Sequence, residues 1–281
     1  MATLYISDLD GTLLTDRAAL STYSRDTLQG LLHEGLPFTV ASARSGASMR
    51  MMLRGLDLSL PVVEFNGAFL SDLETGRHEL VHALDPPIAE DAYRLTLDAG
   101  HAPFVSTYDG DDDLLYYRDV VNDGMRWYLE DRRRNDDPRL RAAADLARAL
   151  RDQVVCLTVI GKPGPLSELQ GAIEERHAGR VQTYLFANDY SPGWHWLTIH
   201  DRRATKDRAI RALSERYGLQ DRELVVFGDG LNDLGMFGAA DRAVAVANAC
   251  AELKERATEL IGANEEDSVA RYIRADWGGP A

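Results

Sequence analysis

The 281-residue chain is poor in several residue types, and each shortage removes a class of function. It has only two cysteines, Cys156 and Cys250, far apart in sequence. Two such thiols build no disulfide framework and suit a reducing compartment. Cys156 lies in the apolar run Val154–Ile160 and reads as a small buried hydrophobe. No stretch of 18 apolar residues exists, so a transmembrane helix is not expected. The start lacks a basic region followed by a long apolar run, so no secretory signal is expected; a cytoplasmic location is the default. Basic charge is short as well: 31 Lys and Arg face 45 Asp and Glu, for a net charge of −14. That speaks against a nucleic-acid partner or an anionic membrane surface, as does the lack of a concentrated basic-aromatic surface. It leaves an anionic small molecule open, because a metal ion and a few cations reverse the field locally. Lysine is scarcest, with three residues at 162, 206 and 254. A lysine in a motif therefore weighs more than any arginine.

What is present is an ordinary globular composition, 45% hydrophobic and 27% charged, in a chain long enough for one or two domains. Residues 3–7 read as a short buried strand and 22–34 as a helix, with Ser21 to cap it and Gly35 to stop it. Pro37–Ala41 is a second strand, Met49–Leu53 is helical, and Pro61–Phe65 is a third strand. The last third repeats this order: a helix over 206–217, strands at Leu224–Phe227 and Ala243–Val246, and helices over 249–261 and 266–275. The tail Gly278–Ala281 is expected to fray. Alternating strands and helices indicate an α/β fold with a parallel sheet. The middle mixes period-two stretches (Leu114–Asp119, Val154–Ile160, Val181–Ala187) with helical ones (Met125–Leu129, Leu140–Leu150, Leu166–Arg176). It reads as an inserted α+β domain over 84–192, bounded by Asp85-Pro86-Pro87 and Ser191-Pro192-Gly193, within a core of 1–83 and 193–281. Asp109–Asp113 lacks the ligand and glycine spacing of a calcium loop and reads as solvated surface.

The chemistry concentrates at strand ends. Leu4, Tyr5 and Ile6 run into Asp8, Asp10, Gly11 and Thr12. Residues i and i+2 of a strand share a face, so both carboxylates can face the crevice at the carboxyl edge of the sheet. Carboxylates there are costly unless their charge is compensated. One can act as nucleophile and the other as acid and base. A second acidic cluster, Gly228-Asp229-Gly230-Leu231-Asn232-Asp233, also follows an apolar strand and offers oxygen to a hard cation; Asn232 can orient a carboxylate or a water. Ser42, followed by Ala43 and Arg44, ends another strand, where a hydroxyl and backbone amides suit phosphate oxygens. Lys206 opens a helix, where a cation opposes the helix dipole and a phosphate or carboxylate offsets that cost.

In this order, these motifs resemble the haloacid dehalogenase-like (HAD) hydrolase superfamily, particularly its Cof-type phosphatase branch. Asp8-Leu9-Asp10-Gly11-Thr12-Leu13 is similar to the first motif, which implies Asp8 as phosphoacceptor and Asp10 as acid/base. Ser42 matches the phosphate-binding residue of the second motif, although Ala43 stands where the branch usually has Gly. Lys206 matches the phosphate-binding lysine of the third. Asp229 and Asp233 match the fourth, with Asp229 a direct Mg2+ ligand and Asp233 supporting the metal shell. Asp8 and the main-chain carbonyl of Asp10 would complete that shell. Asn66-Gly67 and Asn248-Ala249 match further loops lining the site. Ala247 and Ser268 stand where Gly is frequent.

The resemblance covers both ends of the chain. It implies a Rossmann-like core with an inserted α/β cap, a Mg2+ cofactor, and hydrolysis of a small phosphorylated metabolite, a sugar phosphate first, through an aspartyl-phosphate. A phosphosugar mutase, a nucleotide or cofactor-phosphate phosphatase, and a non-catalytic phosphosugar-binding protein are the alternatives. A monomer or homodimer is expected. Within the insertion, His101, Tyr117 and Arg118 are candidate substrate contacts, as are Trp194, His195 and Trp196 beside it. Alternating aromatics more often pack against a sheet.

Overall fold

The computed structural model describes residues 3–188 and 190–278, so the last three residues of the tail expected to fray lie outside it. The chain divides into two compact units, Met1–Leu80 with Thr205–Ala281, and Val81–Ala204.

In the first unit, β1 (Thr3–Ser7) is buried along its whole length. A strand apolar on both faces requires cover on both sides. α1 (Thr22–His33) begins on Ser21, whose hydroxyl accepts the Ser24 N–H, the ordinary N-cap bond. β2 (Phe38–Val40), α2 (Gly46–Met52) and β3 (Val62–Glu64) follow. β3 starts a three-stranded sheet with β4 (Phe69–Ser71) and β5 (His78–Val81).

The second unit contains α3 (Pro86–Asp98), β6 (Pro103–Tyr108), β7 (Asp113–Tyr117), α4 (Asp123–Arg134), β8 (Leu140–Ala142), β9 (Gln153–Gly161), α5 (Pro163–Arg176), β10 (Val181–Ala187) and β11 (His195–Asp201). Its six strands lie in the order β10-β11-β9-β6-β7-β8. All pair antiparallel except β7 with β8. Strand alternation sorts its core into two faces. Val105, Leu157, Val159, Leu197 and Ile199 pack with residues of α3 and α5, whereas Phe104, Leu115, Ile160 and Trp196 pack with Met125 and Leu129 of α4.

The chain then returns to the first unit with α6 (Lys206–Tyr217), β12 (Glu223–Gly228), α7 (Leu234–Ala239), β13 (Arg242–Ala245), α8 (Ala251–Lys254), β14 (Glu259–Leu260) and α9 (Ser268–Asp276). Its main sheet is parallel, in the order β14-β13-β12-β1-β2. Ser7 of β1 stands in register with Phe227 of β12 on one side and Val40 of β2 on the other. Segments more than 200 residues apart in sequence thereby bring Asp8, Ser42 and Asp229 to one carboxyl edge.

Several expectations change. The boundary expected at residue 193 falls after Ala204, because β11 pairs with β9 and β10 before the chain leaves the second sheet. The helix expected over 249–261 stops early: the Thr258 amide and side chain bond the backbone of Ala243, and β14 joins the sheet edge. The helix expected over 140–150 is instead β8 followed by a short 3-10 turn, Leu146–Arg151. β8 takes the edge beside β7, and the Leu115 N–H donates to the Arg139 carbonyl. Pro86 and Pro87, read as boundary punctuation, occupy the first turn of α3, where proline forfeits no helical hydrogen bond.

Candidate active site

Asp8 follows β1 directly, and its amide bonds the carbonyl of Phe227. Its side chain is 8% exposed and lies 2.8 Å from Lys206 Nζ. Lys206 is the first residue of α6, and its side chain is fully buried. The same ammonium donates to Asp233 Oδ1 at 2.6 Å. The other oxygen of Asp233 accepts the amides of Asp229 and Gly230, each at 3.0 Å. Asp233 thus spends its carboxylate on holding the lysine and the turn around Asp229. Asp229 in turn accepts the Thr12 hydroxyl at 2.9 Å. Gly11 is required here. Its φ is +69°, and a Cβ would stand 2.4 Å from an Asp229 oxygen.

Asp8, Asp229 and Asp233 each offer one carboxylate oxygen within 4.8 Å of the others. Three buried or half-buried carboxylates therefore face one ammonium. Burial raises the Asp8 carboxyl well above the usual range, Lys206 opposes that rise, and Asp233 and Asp229 add to it. Burial, then Asp233, pushes Asp229 up to about 7. Burial works against the charge on Lys206, but Asp233 and Asp8 outweigh it and hold the ammonium above its ordinary range. An oxygen-only donor set short of positive charge fits a hard divalent cation.

The remaining residues of the motifs surround this centre. Both oxygens of Asp10 accept from Arg44, through Nε and Nη2, at 2.6 Å each. Asp10 points its side chain to this fork and is not one of the three clustered carboxylates. Ser42 is buried, its Oγ accepts the Arg44 amide at 3.2 Å, and Ala43 between them is half-buried. The Ser42 carbonyl accepts the Asn66 amide at 2.9 Å. Phe65, Asn66 and Gly67 have φ of +47°, +57° and +112° in succession. Left-handed non-glycine residues cost about 1–2 kcal/mol each and persist where surroundings impose them. Here the turn is fixed by the Asn232 amide bonding Asn66 Oδ1 at 3.1 Å. It is also fixed by the close approach of Gly67 to Thr205, whose carbonyl would lie 2.4 Å from a Cβ. Asn248 is exposed but donates to the Gly11 carbonyl at 2.7 Å.

The structure clusters Asp8, Asp229 and Asp233 around Lys206, turns the Asp10 side chain to Arg44, and links Ser42 to Asn66, Asn66 to Asn232 and Asn248 to Gly11 by hydrogen bonds. It adds two that sequence reasoning missed. Thr12 belongs to the first motif without an assigned role, and it bonds Asp229 directly. Asn264 is buried and bonds both Asn248 and the segment after Gly11. An uncharged amide just before the acidic run Glu265-Glu266-Asp267 carries no distinctive signal in the sequence.

Four of the candidates of the second unit have local partners, whereas the buried Nδ1 of His195 has no hydrogen-bond partner among the described residues. Trp196 is 4% exposed and packs edge-on against Trp127 and Tyr128. Trp194 lies under Lys162, 3.7 Å from its Nζ. Tyr117 accepts from Arg133, and Arg118 pairs with Asp119. His101 and His195 are half-buried.

The family model for haloacid dehalogenase-like hydrolases matches residues 5–273. Among curated relatives, the 5-amino-6-(5-phospho-D-ribitylamino)uracil phosphatase YitU of Bacillus subtilis (strain 168) is 27% identical over 273 residues, covering 95% of this chain and 94% of its own. The pyridoxal phosphate phosphatase YbhA of Escherichia coli (strain K12) is 25% identical over 270 residues, covering 95% of each. Among solved structures, a haloacid dehalogenase-like hydrolase from Bacteroides thetaiotaomicron superimposes with a TM-score of 0.82 at 22% identity, covering 99% of this chain and 100% of that one. TM0651 from Thermotoga maritima gives 0.78 at 26% identity, covering 100% and 99%.

Proposed function

The chain belongs to the haloacid dehalogenase-like hydrolases, as a phosphatase of the Cof type, and from that premise we propose a Mg2+-dependent hydrolase of small phosphomonoesters, sugar phosphates first, working through an aspartyl-phosphate. The observation that carries the reading is the buried Lys206 ammonium held between Asp8 at 2.8 Å and Asp233 at 2.6 Å, with Asp229 beside them. It supports the reading of Asp8 as nucleophile, Lys206 as phosphate-binding cation and the clustered carboxylates as donors to a hard metal.

Asp8, Asp229 and the Asp10 carbonyl would hold the Mg2+, with Asp233 behind them. When bound, Mg2+ supplies charge neutralisation for phosphate next to an ionised Asp8. Lys206 and the Ser42 hydroxyl bind and orient the phosphoryl oxygens, on which charge spreads during transfer. A carboxylate oxygen of Asp8 forms the new bond to phosphorus as the ester P–O bond breaks. Asp10 gives the leaving oxygen its proton. Both Asp10 oxygens accept from Arg44, so as a proton donor it releases one of these bonds. Asp10 then takes a proton from water, which displaces Asp8 and yields inorganic phosphate. The relatives' names, a phosphoribityl compound and pyridoxal phosphate, support small phosphorylated metabolites as the substrate class; the preference for sugar phosphates comes from the resemblance to the Cof-type branch.

The test is a phosphomonoester panel with Mg2+, setting sugar phosphates against nucleotides and cofactor phosphates at equal concentration, with Asp8→Asn alongside. Sugar phosphates should give the highest kcat/KM, and Asp8→Asn should lower phosphate release on the order of 10⁴-fold or more. A clear winner outside the sugars overturns the substrate choice. Near-normal turnover by Asp8→Asn overturns the nucleophile. Transfer of phosphate to a sugar acceptor in place of water would make the protein a mutase.

A further inference from the structure

The turn that carries Asp8 and Asp10 is held from behind by one motif residue, Asn248, and one residue outside the motifs, Asn264. After Asp8 the backbone passes through Gly11 in the left-handed region and leaves at Leu14 with extended geometry. A bond inside it runs from the Leu14 amide to the Leu9 carbonyl at 2.9 Å. On the site side the Thr12 hydroxyl bonds Asp229 and the Asp10 side chain bonds Arg44; behind it stand two asparagines more than 230 residues later. Asn248 Nδ2 donates to the Gly11 carbonyl at 2.7 Å. Asn248 Oδ1 accepts the Asn264 amide at 3.0 Å. The Asn264 side-chain amide donates to the Leu14 carbonyl at 3.0 Å and to Asp16 Oδ1 at 2.9 Å. The chain of bonds therefore runs from the Gly11 carbonyl through Asn248 and Asn264 to Leu14 and Asp16, clasping both ends of the segment after Asp10.

Both ends of the clasp are themselves anchored. The Cys250 amide, two residues after Asn248, bonds the Asp229 carbonyl at 2.9 Å. The Ala247 amide bonds the Gly262 carbonyl at 3.1 Å, and the Ala263 amide bonds Glu266 Oε2 at 2.8 Å. Asn264 is 5% exposed, so its amide donors have little access to water, and buried donors must find protein partners. Only a neutral amide serves here. Aspartate would set a carboxylate oxygen against the Leu14 carbonyl and the Asp16 carboxylate, and alanine would leave the Leu14 carbonyl without this partner.

Resting on the hydrolase reading above, we infer that the Asn264 side chain, bonded directly to Leu14 and Asp16 and flanked by Asn248, which its backbone N–H holds against the Gly11 carbonyl, is a positioning group that fixes the Asp8–Leu14 turn so that the Asp10 side chain and the main chain around Gly11 stand in one register with Asp229. The side-chain hydrogen bonds of both asparagines go to the turn, to Asp16 and to each other. Their effect is on where the turn lies, not on the charge at the site. A displaced turn lowers the rate of the chemical steps and leaves the phosphate-binding pair Ser42 and Lys206 in place.

The experiment compares Asn264→Ala, Asn264→Asp and Asn248→Ala with wild type, with Tyr5→Phe as a control. Tyr5 bonds Asp276 at the end of α9. Losing its hydroxyl loosens the far end of α9, the helix that follows the Asn264 turn. Two readouts are taken: kcat and KM for a phosphomonoester with saturating Mg2+, and peptide-level amide exchange of residues 9–16 in the metal-free protein. Misplacement near an ångström costs roughly 100-fold in rate, so kcat should fall roughly 10- to 100-fold in the Asn264 variants, with KM within about threefold of wild type. Exchange of residues 9–16 should quicken in the same variants. Tyr5→Phe should leave both unchanged even where its melting temperature falls. An unchanged kcat, a loss confined to KM, or an equal loss in Tyr5→Phe overturns the inference. Unaltered exchange of the turn does so without reference to activity. Absence of turnover by wild type would break the hydrolase reading alone, because the exchange measurement still decides the clasp.

Discussion

The two units treat buried charge in opposite ways. In the inserted unit every buried ionisable group described above its sheet or between its helices is matched or neutral. Asp137 receives a two-pronged bond from Arg139 at 2.9 and 2.6 Å. Asp91 on α3 accepts from Arg176, from Arg94 at 2.6 Å and from His177 at 3.0 Å. Arg176 foremost holds its carboxyl down to about 2. Burial pushes His200 down to about 4 and Cys156 up to about 12, so both are uncharged near neutrality. In the other unit three carboxylates face Lys206 alone, and two of them are held above their ordinary range. Matched charge is structure; a buried imbalance marks the place that a ligand completes.

Removing Lys206 is the hardest blow to this contrast. Lys206→Met leaves Asp8 and Asp233 buried without their cation. Breaking a buried pair from one side costs about 3–5 kcal/mol, and loss of a preorganised cation at a transferring phosphoryl group lowers kcat on the order of 10²–10³-fold. Chemical denaturation and steady-state kinetics read the two effects. If the variant keeps wild-type stability, the imbalance is not felt by the fold.

Adding a divalent cation is the next largest change. Saturation with Mg2+ at a hundredfold over its Kd stabilises the native state by about 2.7 kcal/mol. The gain should be read as slower amide exchange around residues 8–12 and 229–233, and Asp229→Asn should abolish it. Equal protection of β6, β9 and β11 in the second unit would mean that the cation binds elsewhere.

Some of this was legible in the sequence because charge at the end of an apolar strand has few explanations. Asp8, Asp10, Asp229 and Asp233 stand out for that reason, and the parallel order of the first unit follows from helices alternating with strands. The burial of Lys206 was not legible. A lysine opening a helix looks solvent-facing until Asp8 and Asp233 arrive from distant segments. The extent of the inserted sheet was hidden for a related reason. The alternation of Trp196, Leu197, Thr198 and Ile199 suits any half-buried strand, and only pairing with β9 and β10 assigns it. Asn264 gave no signal because one amide among acidic residues reads as a solvated turn. The leaving group that the enzyme accepts is not written in any strand-end motif.

A change of pH separates the units most cleanly, because its effect has opposite signs in the two. An acid whose folded pKa lies above its unfolded one binds a proton that the unfolded chain has released. Its stabilising contribution is full below the unfolded value and is lost as pH rises through the folded one. For Asp229 that window runs from 3.8 to about 7, and Asp8 acts in the same direction. The metal-free first unit should therefore weaken as pH rises across this range. His200 is the reverse: its folded value of about 4 lies below the ordinary 6.5, so the inserted unit should weaken as pH falls from about 6.5 to about 4. Each group contributes at most about 1.4 kcal/mol per pH unit. Tryptophan reports on the inserted unit, since Trp127, Trp194 and Trp196 lie there and only Trp277 lies in the other. Amide exchange of β1 and β12 reports on the first. Denaturation of chelator-treated protein at pH 4.5, 5.5 and 6.5 should give opposing slopes, and Mg2+ should flatten the slope of the first unit while leaving that of the inserted unit alone. Slopes of the same sign in both units would show that the charge imbalance at Asp8 and Asp229 is relieved by something other than a proton or a metal ion.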